Sequence, residues 1–368
     1  MSSAPVASSP DLRADASRVA RRCGARGRRP PNLRRRCLRA ANAIACVTIT
    51  TFAQATAASD GDASRRLHAL DCARVTAADV QGTLAHFPAP QVIALQGSVP
   101  IVTMAPLLAF TEAMGYPPAR LLQSGDNPRS RSSYVDARRI VGEMAWHYER
   151  EGLMPVLIGH SQGGMIVIKS LHQLADSQST TPIHVWPPGS DAPEPRSTIA
   201  DPLTGQRREV SSLRVDFASA MVTGSLPRIV LGQWGMLPLL REVPDSVRDF
   251  VGFSIPWDPI AGTGAHPAPY RAMGTAHVRN VVLPASYSHV FLPRTDHLAS
   301  QPATRAWIDA FHPQERPALP DAQDTSNLLV AAELWYGLKR HWCEGAKRVA
   351  LRERATSPTG DADARASR

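Results

Sequence analysis

Met154-Pro155-Val156-Leu157-Ile158-Gly159-His160-Ser161-Gln162-Gly163-Gly164 is the stretch that decides the fold. The apolar run 154–158 reads as a buried strand, and 163–176 reads as a helix whose Ile168, Leu171 and Ala175 share one face. Between them, residues 159–163 have G-x-S-x-G spacing, in which a serine occupies a sharp turn from strand to helix. The spacing has a physical cause. The turn forces the serine into strained backbone angles, and glycines two residues to either side let strand and helix approach closely. Oγ of Ser161 is thereby pushed out beyond the sheet edge, while the N–H of Gln162, at the helix start, points where an oxyanion would form. With glycine at about 7% of residues, the bare spacing arises by chance in about one chain in ten of this length. The flanking strand and helix remove most of that chance.

Outward from this turn, short apolar runs alternate with amphipathic helices from Gln91 onward, the pattern of βα units around a mostly parallel sheet with helices on both faces. A buried strand is predicted over 92–95, and Leu107, Phe110 and Met114 mark a helix that stops near Gly115. Residues 119–123 suit another strand, and Ile140, Val141, Met144 and Tyr148 form one helical face ending at Gly152. Beyond 176 the pattern dissolves into a proline-rich segment, so an insertion is expected at about 177–247, standing off the sheet. Within it, turn chemistry at 201–205 could close a hairpin between 197–200 and 210–215. The apolar stretch 229–240 either covers the site as a lid or packs as core. Strands are expected again at 250–255 and 278–283, and a helix at 303–311. Leu328, Ala331, Trp335, Leu338 and Trp342 then form a stripe at helical spacing, capped by Asp324 or Ser326, that docks on the body. The end, from about Arg352, lacks apolar period and is expected to be disordered.

Residues 159–164 resemble the GHSQGG box of bacterial lipases and esterases in the α/β-hydrolase superfamily, and the resemblance covers about residues 90–312. It implies an α/β-hydrolase fold with a cap or lid insertion and a serine, acid, histidine order along the chain. Ser161 is then the nucleophile. The first oxyanion donor is the N–H of Gln162, and the second is the N–H of Ser98, although Gln96 stands where the family often has histidine. The acid should follow a strand beyond the insertion, which favours Asp258 after 250–255, with Asp216 as competitor. The histidine should lie just past the last strand. His266 and His277 precede that strand, and His312 and His341 lie beyond the following helix, leaving His289, favoured for its short tether, and His297. Acyl transfer through an acyl-enzyme follows, on a small-molecule or lipid ester, with transient contact at a lipid interface open. Thioesterase, amidase, acyltransferase and non-catalytic lipid- or partner-binding readings stay open, because function lives in the pocket rather than the fold. Neither a metal nor a cofactor is called for: H-E-x-x-H, paired C-x-x-C and a Walker-type glycine loop are all missing from the sequence.

A chain of 368 residues, 43% of them hydrophobic, can bury a large core. Its net charge of +9 lies wholly in residues 1–57, which hold 11 basic and 2 acidic residues; the remainder carries 30 of each, so no nucleic-acid footprint is expected there. In this leader, Arg28, Arg29, Arg34, Arg35, Arg36 and Arg39 precede the uncharged stretch 40–58, which ends in small-x-small sites such as Ala53-Gln54-Ala55. That reads as an export signal, and an exported, periplasmic or secreted protein is expected. The alternatives are an arginine-rich arm that binds nucleic acid and a lipid-attachment site at Cys46. The domain reading is a leader at 1–57, a catalytic domain at 58–315 and a C-terminal helix with its tail at 316–368. Cys72 and Cys343 remain outside the leader, and either pair in an oxidising compartment or stay two unrelated thiols. The oligomeric state is left open.

Overall fold

Five strands make one central sheet, β1 (Val92–Leu95), β2 (Val156–His160), β3 (Val215–Met221), β4 (Val247–Ser254) and β5 (His277–Val282), in spatial order β1-β2-β3-β4-β5. Every pairing is parallel, so the carboxyl ends of all five lie along one edge. The computed structural model describes residues 62–356, apart from 126, 177–180, 316–317 and 321–323. Residues 1–57, where a leader is expected, with their basic run, small-x-small sites and Cys46, lie outside the described residues.

Strand alternation feeds two cores. Val92, Ala94, Val156, Ile158, Phe217, Val251 and Phe253 face one of them, together with helices α1 (Ala105–Ala113), α4 (Pro302–Ala310) and α5 (Leu328–Thr356). Ile93, Leu95, Leu157, Ala218, Ala220 and Phe250 face the other, with α2 (Ala137–Glu151) and α3 (Gln162–Ala175). The protein is therefore an α/β molecule with a parallel sheet between helical layers. Gly152 ends α2 in the left-handed conformation (φ 69°), as the expected stop requires.

Three expectations are corrected. Residues 119–123 are not a strand: Pro118–Leu121 is a 3-10 turn, and the side chain of Gln123 stands in for backbone at the edge of β1. Its Oε1 accepts from the Ala94 N–H (2.9 Å) and its Nε2 donates to the Val92 carbonyl (2.8 Å). The segment 177–247 is not wholly an insertion, because β3 is the middle strand of the sheet. What stands off the sheet is a hairpin of Thr198–Ala200 with Arg207–Glu209, whose second arm precedes the expected 210–215, and the stretch after β3. That stretch is not core: Ile229, Val230, Leu231 and Trp234 are exposed, and only Met236 and Leu240 of its apolar residues are buried.

Helix α5 docks as its stripe predicts, with Trp335 and Trp342 fully buried, and it runs on to Thr356 rather than ending near Arg352. Arg352, Glu353, Arg354 and Ala355 tolerate or favour helix, which accounts for the extra turn. Trp342 Nε1 donates to the Pro88 carbonyl (3.1 Å) and Lys347 Nζ to the carbonyls of Leu70 (2.5 Å) and His68 (3.2 Å). Cys72 and Cys343 form a disulfide across 271 residues, adding a covalent tie between the same two segments.

Candidate active site

The backbone of Ser161 is left-handed (φ 53°, ψ −113°), between the last residue of β2 and the first of α3. Its N–H still bonds the β3 carbonyl of Met221 (2.8 Å), so the turn begins without leaving the sheet. Its own carbonyl accepts from the Gly164 N–H (3.1 Å) and the Thr223 hydroxyl (3.3 Å). Close approach dictates the glycines. A Cβ on Gly159 would lie 2.3 Å from the Gly163 carbonyl oxygen, and one on Gly163 would lie 2.1 Å from that of Leu95. No side chain fits at either place.

Strained backbone is concentrated at this sheet edge. Four non-glycine residues have positive φ among the described residues, and three of them follow adjacent strands: Ser161 after β2, Val222 (46°) after β3 and Trp257 (58°) after β4. Such conformations cost about 1–3 kcal/mol each and persist where the surroundings over-determine them. For β-branched Val222 the conformation is a marked outlier.

Trp257 precedes Asp258, whose carboxylate is held from two sides. Oδ1 accepts the N–H groups of Ile260 (2.9 Å) and Ala261 (3.0 Å), and Oδ2 faces Nδ1 of His289 at 2.6 Å. Burial acts to raise the Asp258 pKa, but the bonds from His289, Ala261 and Ile260 outweigh it and hold the carboxyl below its usual range. A carboxylate on Nδ1 assigns a proton there, which leaves Nε2 as the ring nitrogen turned away from Asp258. Asp258 and His289 are 3% and 7% exposed.

His160 ties the histidine loop to the turn. Its Nε2 donates to the His289 carbonyl (2.8 Å), and the two rings meet edge to face at 5.3 Å. Burial, and next the neighbouring His289, push its pKa down to about 3, so the ring is neutral. Its Nδ1 is buried without a partner. Gly97 closes the other side, where a Cβ would lie 3.3 Å from both Ser161 Cβ and His160 Nδ1.

Among the described residues the N–H groups of Gln162 and Ser98 have no acceptor. The loop carrying Ser98 is held from outside: Ser130 Oγ donates to Gln96 Oε1 (2.6 Å), Ser133 Oγ to the Gly97 carbonyl (3.1 Å) and Tyr134 Oη to the Ser98 carbonyl (3.3 Å). Gln162 Nε2 reaches the Ser133 carbonyl (3.4 Å). A cavity of about 640 Å³ opens here, lined among others by Ser133, Tyr134, Gln162, Met165, Gln233 and Met236.

The two competitors lie elsewhere. Asp216 is the second residue of β3, at its amino end, where Arg348 and Arg248 pair with it. His297 sits in the 3-10 turn Asp296–Ser300, with Nε2 3.5 Å from Asp324 Oδ2. The sequence reading missed His160, which occupies a variable position of the motif, and Ser133 and Tyr134, which no motif marks. Among the described residues no group of three or more His, Cys, Asp and Glu side chains is placed to hold a metal ion, and no helix is long and apolar enough to cross a membrane. The chain matches no family model and no curated protein.

Proposed function

We propose that the protein is a serine hydrolase of α/β-hydrolase fold that cleaves carboxylic esters through Ser161, His289 and Asp258. The observation that carries this is the short, buried Asp258–His289 contact at 2.6 Å, on loops after the last two strands of the sheet that presents Ser161. Three residues distant in sequence follow three parallel strands of one sheet, at its carboxyl edge and in the order such chemistry uses.

Nε2 of His289 takes the Ser161 proton as Oγ attacks the ester carbonyl, forming a tetrahedral intermediate. The free N–H groups of Gln162 and Ser98 receive its oxyanion. Collapse expels the alcohol, which takes its proton from His289, and water then cleaves the acyl-enzyme by the same steps. Asp258 orients the ring and stabilises the imidazolium. The cavity beside Gln162 and Met165 takes the acyl chain. We also propose an exported protein, a location supported by the Cys72–Cys343 disulfide, since such bonds persist in oxidising compartments.

Hydrolysis of p-nitrophenyl butyrate tests the reading. Wild type should turn the ester over and Ser161→Ala should lose at least about a thousandfold in kcat, consistent with loss of a covalent nucleophile. Equal rates in the two proteins would reject it.

A further inference from the structure

Of the four non-glycine residues with positive φ among the described residues, three follow strands of the sheet; the fourth, Asn327 (φ 61°), stands immediately before α5. Asparagine is one of the few side chains that enter this region at modest cost. The residue is buried, 4% exposed, and its amide is committed: Nδ2 donates to the carbonyls of Phe291 (2.9 Å) and Arg294 (2.8 Å). Two carbonyl partners fix which end of the amide is nitrogen. The Phe291 carbonyl also accepts the Arg294 N–H (2.9 Å), so Asn327 pins both ends of one tight turn.

That turn begins two residues after His289, with only Val290 between them. The chain two residues before His289 meets the same helix. Tyr287 packs against the core that contains Leu328, and its hydroxyl bonds the backbone of Leu329 and Leu328, the first residues of α5. Burial raises the Tyr287 phenol pKa, and these backbone bonds act the other way. The start of α5 therefore holds the loop on both sides of the histidine, at 287 and at 291–294, while His160 holds the His289 carbonyl and Asp258 holds Nδ1. Asn327 lies beyond residues 90–312, over which the resemblance runs, in the segment expected to be a C-terminal helix apart from the catalytic domain.

We infer that Asn327 is a positioning residue of the active site: by fixing the Phe291 and Arg294 carbonyls it sets the placement of the His289 ring against Asp258. The inference rests on the hydrolase reading for its effect on catalysis, but the hold on the ring is separable from it. A general base must be held closely, since a misplacement of about 1 Å costs about a hundredfold in rate. A loop that loses both donors regains backbone freedom two residues from the ring, where a small displacement moves the imidazole by that order.

The test uses Asn327→Gly and Asn327→Ala in the full chain. Both remove the two donors, but glycine accepts φ 61° freely and alanine does not, so alanine alone adds backbone strain. The two should therefore differ in urea midpoint, Asn327→Ala being the lower. Both should nevertheless lose kcat for p-nitrophenyl butyrate by the same factor, about tenfold to a hundredfold, with KM within about twofold of wild type. A loss present in Asn327→Ala and absent from Asn327→Gly would track stability and overturn the inference. A kcat in folded Asn327→Gly within about twofold of wild type would overturn it too, and would keep the hydrolase. The second readout needs no turnover. The Nδ1 proton of His289, shared with Asp258, should give a proton NMR resonance far downfield, identified by its loss in His289→Ala. In Asn327→Gly it should broaden and exchange faster with water. An unchanged resonance would overturn the inference, as would its absence from wild type, because no ordered ring would be there to hold. A resonance altered in Asn327→Gly, in a protein that cleaves no ester, would keep the positioning role and reject the hydrolase.

Discussion

Replacing His160 with glutamine should change how folding stability depends on pH, by an amount that follows from its burial. The ring is 2% exposed and its pKa is pushed down to about 3, against about 6.5 in an unfolded chain. Below pH 6.5 the unfolded chain takes up a proton that the folded ring refuses, so native stability falls as pH drops, and goes on falling toward pH 3. Between pH 7 and pH 5 that linkage amounts to about 2 kcal/mol for this one group. Glutamine can keep a donor to the His289 carbonyl but does not titrate. Other low-pKa groups, such as buried His341, act in both proteins and cancel. Urea unfolding followed by tryptophan fluorescence at pH 7 and pH 5 gives the two slopes. The wild type should lose about 2 kcal/mol more than His160→Gln over that interval. Parallel losses would mean that the His160 ring is not sealed from solvent, and the tether from the turn to the histidine loop would fail with it.

Asp258→Asn should keep the fold and lower kcat by roughly 10⁴-fold, by leaving the imidazole in the wrong tautomer. A larger loss in Asp216→Asn would reverse the assignment of the acid. His289→Ala should lose activity by orders of magnitude, whereas His297→Ala, which removes a partly exposed pair with Asp324, should stay within about tenfold of wild type in kcat/KM. Dithiothreitol, or the Cys72→Ser/Cys343→Ser double variant, should lower stability by about 5 kcal/mol, because the disulfide closes a loop of 271 residues; an unchanged urea midpoint would contradict that.

The turn at Ser161 was legible because its glycines answer to backbone contacts only two or three ångströms away, and such contacts leave a fixed spacing in the chain. That Asp258 and His289 would come together was legible by order, each lying beyond a strand of the parallel sheet on a loop with little freedom. Strand β3 was hidden by its surroundings, since Val215–Met221 sits among prolines and turn residues that read as an insertion. The edge of β1 was misread because the amide side chain of Gln123 supplies hydrogen bonds that a neighbouring strand would otherwise make, and a side chain acting as backbone has no periodicity. The exposure of Ile229, Val230 and Trp234 was illegible for the opposite reason: an apolar run has the same pattern whether it faces core or solvent.

The most direct measurement is covalent labelling. The protein is incubated with a fluorophosphonate, and the modified residue is located by peptide mass spectrometry, alongside Ser161→Ala. The account predicts one equivalent of label, on Ser161, and none in the variant, since Ser161 alone among the described serines has the left-handed turn beside the Asp258–His289 pair. Full labelling of Ser161→Ala, or a wild type that stays unlabelled while folded, would contradict it.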